Sequence, residues 1–189
     1  MAPKNDRKGA MDMELMERTL SRREIYDGYV VHLHVDEVGL PNGKTSIREV
    51  IEHPGGVCIL ALDDDGRVAL VRQYRYAFQQ VLTELPAGKR EKGEAPAVTA
   101  RRELQEEVGA TASEWTDLGT LIPSPGCYGE TLYLYLARGL TFGEQHLDVD
   151  EFLNVDWMPL EELVEKCLSG EIRDAKTVVA ALKARELLK

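Results

Sequence analysis

Three glutamates stand within five residues of one another in the stretch RRELQEEVG: Glu103, Glu106 and Glu107. On a helix Glu103 and Glu107 lie one turn apart with Glu106 on the adjoining flank, so three carboxylates crowd one edge. Each like-charged i,i+4 pair costs about 0.2–0.5 kcal/mol. Hard divalent cations require clustered oxygen ligands of this kind, and the repulsion turns to attraction once a dication sits between them. Such a cation bridges phosphate oxygens, neutralises developing charge and lowers the pKa of a bound water. The plainer alternative is a solvated acidic helix face, the usual fate of surface glutamates.

The element that must carry these carboxylates is a helix from Pro96 to Val108, with Ala97, Ala100, Leu104 and Val108 on one face and Gly109 ending it. Ahead of it, VLTELPAG is a short extended piece closed by Pro86 and Gly88. Nearer the N-terminus the chain reads as one strand from Glu24 to about Val38, a turn through Asn42-Gly43 and a second strand, SIREVIEH, which together predict a hairpin. VCILALDDDGRVALVRQYRYAF reads as two strands joined at Asp65-Gly66, the first apolar nearly throughout and therefore central. After the helix come two strands, WTDLGTLIPS and ETLYLYLARGL, the acidic loop TFGEQHLDVDEF and a last strand, LNVDW. Two helices close the chain, PLEELVEKCLSG and DAKTVVAALKARELLK, the second with Asp174 as its N-cap. This order predicts an α/β fold of the α+β kind, a mixed sheet flanked by helices without regular βα alternation.

Composition narrows the partners. The 189 residues are 43% hydrophobic, enough for a sizeable core, and 33 Asp+Glu against 23 Lys+Arg leave a formal charge of −10. That balance argues against nucleic-acid backbones and anionic membranes; an anionic ligand needs a metal or an arginine cluster. Cys58, Cys127 and Cys167 are odd in number and form no CxxC, which predicts neither a disulfide framework nor a zinc site and suits a reduced, cytoplasmic setting. MAPKNDRKGAMDME lacks the apolar core of a signal peptide, and no run approaches the roughly 18 apolar residues of a membrane span. His32 and His34 share a strand face, where packing or surface roles outweigh a metal pair.

From Gly88 to Ala110 the spacing is GX5EX7REUXEEXGU, carried by Gly88, Glu94, Arg102, Glu103, Leu104, Glu106, Glu107, Gly109 and Ala110. In this the chain resembles the Nudix hydrolases. The resemblance implies an α/β/α sandwich whose loop–helix–loop binds Mg²⁺ or Mn²⁺ and hydrolyses a nucleoside diphosphate linked to another group. Matched position by position, it implies Glu103, Glu106, Glu107 and the backbone carbonyl of Ala87 as metal ligands. It also implies that Glu106 and Arg102 serve catalysis and that Arg102 and Glu94 orient the glutamates and tie the loop to the helix. Gly88 and Gly109 are expected to allow tight turns.

Outside that motif, SIREVIEHPGGV, RQYRYA, TELPAG, IPSPGCYGE and DAKT resemble the ADP-ribose pyrophosphatases of the family, from about Ser21 to the end. This implies that Arg48 and Arg75 contact substrate phosphates, as arginine forks can, with Arg72 left to surface pairing. Pro125 and Gly126 of the SPG turn join the substrate site. The acidic loop is expected to supply a glutamate that contacts metals or activates water: Glu151 aligns best, with Asp148, Asp150 and Glu144 competing. Adenine needs an aromatic platform, for which Tyr29 is the candidate and Tyr26 the second. Subfamily members exchange the N-terminal hairpin across a homodimer, so the expected division is a polar tail over 1–20, a dimerisation arm over 21–54 and a Nudix hydrolase domain over 55–189. The implied reaction is Mg²⁺-dependent hydrolysis of ADP-ribose to AMP and ribose 5-phosphate. Two alternatives stay open: another nucleoside diphosphate sugar as substrate, and a non-catalytic Nudix-like module that senses a nucleotide, against which the intact motif speaks.

Overall fold

The computed structural model describes residues 14–189, so most of the segment expected as a polar tail lies outside the described residues. The chain divides into two compact units: residues up to His53 together with Ser124–Gly129, and Pro54–Pro123 together with Glu130–Lys189.

In the first unit β1 (Arg18–Asp27), β2 (His32–Gly39) and β3 (Thr45–Glu52) form an antiparallel sheet in the order β1-β2-β3. The stretch expected as one strand from Glu24 to Val38 is therefore two, folded back at Gly28, whose N–H donates to Val31 O at 3.0 Å. A Cβ on Gly28 would meet that carbonyl at 3.0 Å and the Tyr26 ring more closely still, so the turn is tight against a side chain there although the residue pattern runs through it. Only the last four residues of β1, 24–27, fall within the expected strand; all ten of its residues, RTLSRREIYD, are exposed, so no alternation marks its start. The second turn lies at Asn42-Gly43 as expected, with Gly43 at φ 80° and Asn42 Oδ1 accepting from Lys44 N at 3.0 Å.

β2 alternates, turning His34, Asp36 and Val38 inward. Arg22 grips Asp36 through Nε and Nη2 at 2.9 and 3.1 Å, and His34 Nδ1 reaches the same carboxylate at 3.0 Å. His34 Nε2 stands 3.1 Å from Glu52 Oε1 at an angle that makes no hydrogen bond. His32 pairs instead with Asp27, so the two histidines serve separate carboxylates. Ser124–Gly129 runs beside the end of β3, with Ile51 N donating to Cys127 O and Gly129 N to Ile51 O, both at 2.8 Å.

The second unit holds β4 (Gly56–Ala61), β5 (Arg67–Arg75), a 3₁₀ turn (Tyr76–Phe78), β6 (Gln80–Glu84), β7 (Ala87–Lys89) and α1 (Pro96–Val108). β8 (Ala110–Leu121), β9 (Leu132–Phe142), β10 (Leu153–Pro159), α2 (Leu160–Ser169) and α3 (Ala175–Leu187) follow. Its sheets run β10-β5-β6, all antiparallel, and β7-β4-β9-β8, in which β4 and β9 are parallel. β4 is buried along its whole length, flanked by strands on both edges and covered on both faces. Val57, Ile59 and Ala61 pack with Ala100 and Leu104 of α1, while Cys58 and Leu60 pack with Leu163 and Val164 of α2 and Ala180, Ala181 and Ala184 of α3. A strand with side-chain period two thus serves two helical layers.

The Asp65-Gly66 turn is present, with Gly66 at φ 75° and Asp63 Oδ1 accepting from Asp65 N and Arg67 N at 3.0 and 2.7 Å. The hairpin expected there is reduced to a single bridge, Leu62 to Val68, because β4 and β5 leave the turn for different sheets. VLTELPAG is likewise divided between β6 and β7 at Leu85-Pro86, where the chain changes sheets. Among the described residues no helix is long and apolar enough to cross a membrane, and all three cysteines are free.

Candidate active site

α1 starts at Pro96, whose missing N–H costs nothing at a first helical position, and stops at Gly109, which takes φ 68°. Its buried side differs by a step from the expected stripe: Ala97 is exposed, and Thr99, Ala100, Glu103, Leu104 and Glu107 face inward. Glu103 and Glu107 therefore sit on the buried face, only 8% and 2% exposed, with Glu106 half-buried beside them.

Gly88 lies in β7, paired opposite Val57, where the sequence predicted a turn. A Cβ at Gly88 would fall 1.8 Å from the Glu103 carboxyl carbon, so the glycine is required by close approach of that carboxylate to the strand. The neighbouring Ala87 N–H donates to Glu107 Oε2 at 2.9 Å. Arg102 holds the outer part of the site together. Its Nη1 donates to Glu103 Oε1 and Glu106 Oε2, both at 2.8 Å, while Nε and Nη2 reach the Glu94 carboxylate at 3.2 Å and Nη2 also meets Lys89 O at 3.2 Å. Arg102, then burial in the opposite sense, set the Glu94 carboxyl, with the Glu91 N–H and the Thr99 hydroxyl helping to hold it at about 2.

The acidic loop is fastened to the end of α1. Gly143 N donates to Gly109 O at 2.6 Å and His146 N to Glu106 O at 3.0 Å, while the Gln145 amide donates to Glu107 O. These bonds satisfy carbonyls that a helix end leaves without partners. They also bring Glu151 near enough for its charge to act on Glu103 and Glu107. Burial pushes the Glu103 carboxyl up to about 7 against the pull of Arg102, with Glu106 and Glu151 adding to the rise. Burial likewise pushes Glu107 up to about 8, opposed by the Ala87 N–H and Arg75. Glu151 is raised by burial and then by Asp148, whose carbonyl accepts the Glu151 N–H at 3.0 Å.

Arg75 ends β5 beside this cluster. Its Nε and Nη2 clamp Glu84 of β6 at 2.7 and 2.8 Å, and Lys176 of α3 bonds the same buried carboxylate. Burial would raise Glu84, yet Arg75 and Lys176 together hold it at about 2. Neither Glu84 nor Lys176 was singled out from the sequence; the quoted segments TELPAG and DAKT contained them, but residues so far apart carry no shared spacing. A cleft of about 340 Å³ opens along Arg75, Tyr76, Phe78, Glu84, Asp174 and Lys176. A wider one of about 530 Å³ shares Phe78, Leu82 and Asp174 with it, and neither is lined by the glutamates of α1.

Of the remaining sequence candidates, Arg48, Tyr26, Tyr29, Pro125 and Gly126 belong to the first unit and Arg72 to the second. Arg48 is taken up by Glu17 at 2.9 and 2.5 Å, Ser46 Oγ at 3.2 Å and Ile47 O at 2.9 Å. Tyr29 is 94% exposed in the turn between β1 and β2, and Tyr26 is 59% exposed. Pro125 and Gly126 are exposed in a turn that Tyr128 N closes onto Ser124 O at 3.1 Å. Arg72 is exposed on β5.

Among the described residues no three His, Cys, Asp or Glu side chains converge tightly enough to hold an ion as they stand. Glu103 and Glu106 both accept from Arg102, and Glu107 accepts from the Ala87 N–H. The donor set nevertheless fits a hard dication, since it consists of carboxylate oxygens whose mutual repulsion is relieved by positive charge.

Comparison with known proteins agrees with this reading. Residues 52–180 match the NUDIX domain, and residues 17–51 match the nucleoside diphosphate sugar hydrolase N-terminal domain. The chain is 43% identical over 168 residues to an ADP-ribose pyrophosphatase of Bacillus subtilis, covering 88% of this chain and 91% of that protein. It is 42% identical over 177 residues to a methanol dehydrogenase activator of Bacillus methanolicus, covering 92% and 96%. The crystal structure of an ADP compounds hydrolase matches with a TM-score of 0.81 at 23% identity, over 92% of this chain and 95% of that one, which speaks to the fold. A motif complete from Gly88 to Ala110, a fold shared with a hydrolase and a domain match over most of its length mean that the chain belongs to the Nudix family and is a Nudix hydrolase.

Proposed function

We propose that this chain hydrolyses the diphosphate of ADP-ribose to AMP and ribose 5-phosphate, with Mg²⁺ as its metal and Mn²⁺ as a substitute. The observation that carries the reading is the gathering of raised carboxylates, Glu103, Glu107 and Glu151, beside the Arg75–Glu84 pair. The name of the Bacillus subtilis relative supports the choice of substrate.

A bound divalent cation would neutralise phosphate charge and lower the pKa of a water. Glu103, Glu106 and Glu107, with the carbonyl of Ala87, would hold it, and Arg102 orients the Glu103 and Glu106 carboxylates. Arg75 binds diphosphate oxygens, its guanidinium pre-set by Glu84 so that little orientation is lost on binding. Glu151, raised by burial and then by Asp148 and so a stronger base than an ordinary carboxylate, acts as the base toward the attacking water. The oxygen of that water bonds to phosphorus as the bond to the bridging oxygen breaks, and the bridging oxygen departs with the other phosphate. By residue type, Arg48 contributes a further phosphate contact, Tyr29 the adenine platform, and Pro125 and Gly126 a turn against the substrate. In a homodimer formed through the N-terminal strands, either subunit can supply them.

Cleavage of another nucleoside diphosphate sugar is the second reading, favoured by the match of residues 17–51. A panel of such sugars, assayed with Mg²⁺ or Mn²⁺ and with the products identified, separates the two. AMP from ADP-ribose is expected, and its absence at every metal level would sink the first reading. Glu107→Gln is expected to fold normally and lose about two orders of magnitude or more in turnover; an unchanged rate would remove Glu107 from the site.

A further inference from the structure

Arg75, Glu84, Lys176 and Asp174 form a continuous chain of charge, buried at Glu84 and Lys176, that the hydrolytic site does not by itself explain. Glu84 is 2% exposed and Lys176 is 9% exposed. Glu84 Oε2 accepts from both Arg75 Nη2 and Lys176 Nζ, and Lys176 Nζ also meets Asp174 Oδ1 at 3.0 Å. The other oxygen of Asp174 caps α3, accepting from Thr177 N at 3.0 Å and from the Thr177 hydroxyl at 2.6 Å. The Thr177 hydroxyl in turn accepts from Leu85 N at 2.8 Å. The first turn of α3 is thereby fastened to the end of β6 and the residue after it by one side-chain charge pair and one bond from a backbone N–H to a side-chain hydroxyl.

The chain of charge is most exposed at Arg75, whose side chain is 38% exposed and whose charge acts on Glu107. Two of its nitrogens are held by Glu84, and Nη1 has no hydrogen-bond partner among the described residues. Burying a lysine and a glutamate together is costly, and a hydrophobic pair of the same volume would hold β6 to α3 as well or better. What the ionic arrangement adds is a fixed anion behind an arginine, since two positive donors on one carboxylate oxygen restrict where the carboxylate can turn.

We propose that Lys176 is a positioning residue for phosphate binding: through Glu84 it holds the Arg75 guanidinium in the orientation that meets the substrate diphosphate. This rests on the assignment of Arg75 as a phosphate contact; ADP-ribose is needed only as the assay substrate. Lys176 does not touch the reacting atoms.

The test is steady-state kinetics of the full chain with saturating Mg²⁺, comparing wild type, Lys176→Met, Lys176→Arg, Arg75→Ala and the double variant Arg75→Ala/Lys176→Met. Lys176→Met is expected to raise KM for ADP-ribose by about fivefold or more with kcat held within about twofold, and Lys176→Arg to recover most of the loss. In the Arg75→Ala background the second substitution should change KM by less than about twofold, because its effect passes through the residue already removed. A folded Lys176→Met with unchanged KM, or independent effects in the double variant, overturns the proposal and leaves a staple between α3 and β6. If Lys176→Met does not fold, Glu84→Gln/Lys176→Met removes both buried charges together; a raised KM then supports the proposal and a wild-type KM overturns it. Should wild type cleave a different nucleoside diphosphate sugar, the ADP-ribose reading falls and the same comparison is made with that sugar. Wild type that cleaves none overturns both.

Discussion

Glu84 and Glu107 are both 2% exposed, yet one is held at about 2 and the other pushed up to about 8. Burial raises both; at Glu84 two cations overcome it, while at Glu107 burial prevails over the Ala87 N–H and Arg75, with Glu151 and Glu103 adding to the rise. Their contributions to stability run in opposite senses with pH. Glu84, depressed from an ordinary 4.5, adds stability that is present above about 4.5 and lost as pH falls through about 2, so Glu84→Gln should flatten the acid limb of a Tm–pH curve. Glu107 is raised, so its protonated form favours the fold below about 4.5 and that contribution disappears as pH rises through about 8. In chelator, Tm of the wild type should fall between pH 5 and 8, and Glu107→Gln should lessen the fall; equal slopes would contradict the assignment. The two carboxylates were unequally legible in the sequence. Glu107 announces itself by spacing from Glu103 and Glu106, whereas Glu84 meets Lys176 across a separation of 92 residues that no local pattern encodes.

At the level of elements, α1 spans Pro96–Val108 as its proline, glycine and apolar spacing predicted, and the Asp174 cap of α3 was equally readable. The strands were harder. β1 buries nothing, β4 and β5 look like a hairpin because a sequence does not say when two strands part for different sheets, and β7 hides inside what reads as a turn. β7 matters because Gly88 gives its missing side chain's space to the Glu103 carboxylate. Gly88→Ala cannot be absorbed by a simple rotation of the strand, which is paired to β4. It is expected to keep native circular dichroism while losing roughly tenfold or more in kcat/KM, the cost of displacing a catalytic group by about an ångström. Activity near wild type would mean that Glu103 can work from elsewhere.

For the whole molecule, the first unit presents a sheet whose outer strand leaves Leu20 and Ile25 exposed at 45% and 43%. Apolar side chains along an exposed edge strand favour association. Sedimentation equilibrium should report twice the chain mass, and Leu20→Asp/Ile25→Asp should shift it toward the monomer; a wild-type monomer at micromolar concentration would remove the proposed dimer. The parallel pairing of β4 with β9 has a different consequence, which concerns the order of events as the chain is made. Gly56 lies beside Leu132 and Ala61 beside Ala137, so the floor on which α1 rests is completed by residues made long after the glutamates themselves. Closing so large a loop must precede the contacts that reward it. Until β9 leaves the ribosome, Glu103 and Glu107 remain in water as ordinary acids, and the chemistry of this chain begins only once its latter half has arrived.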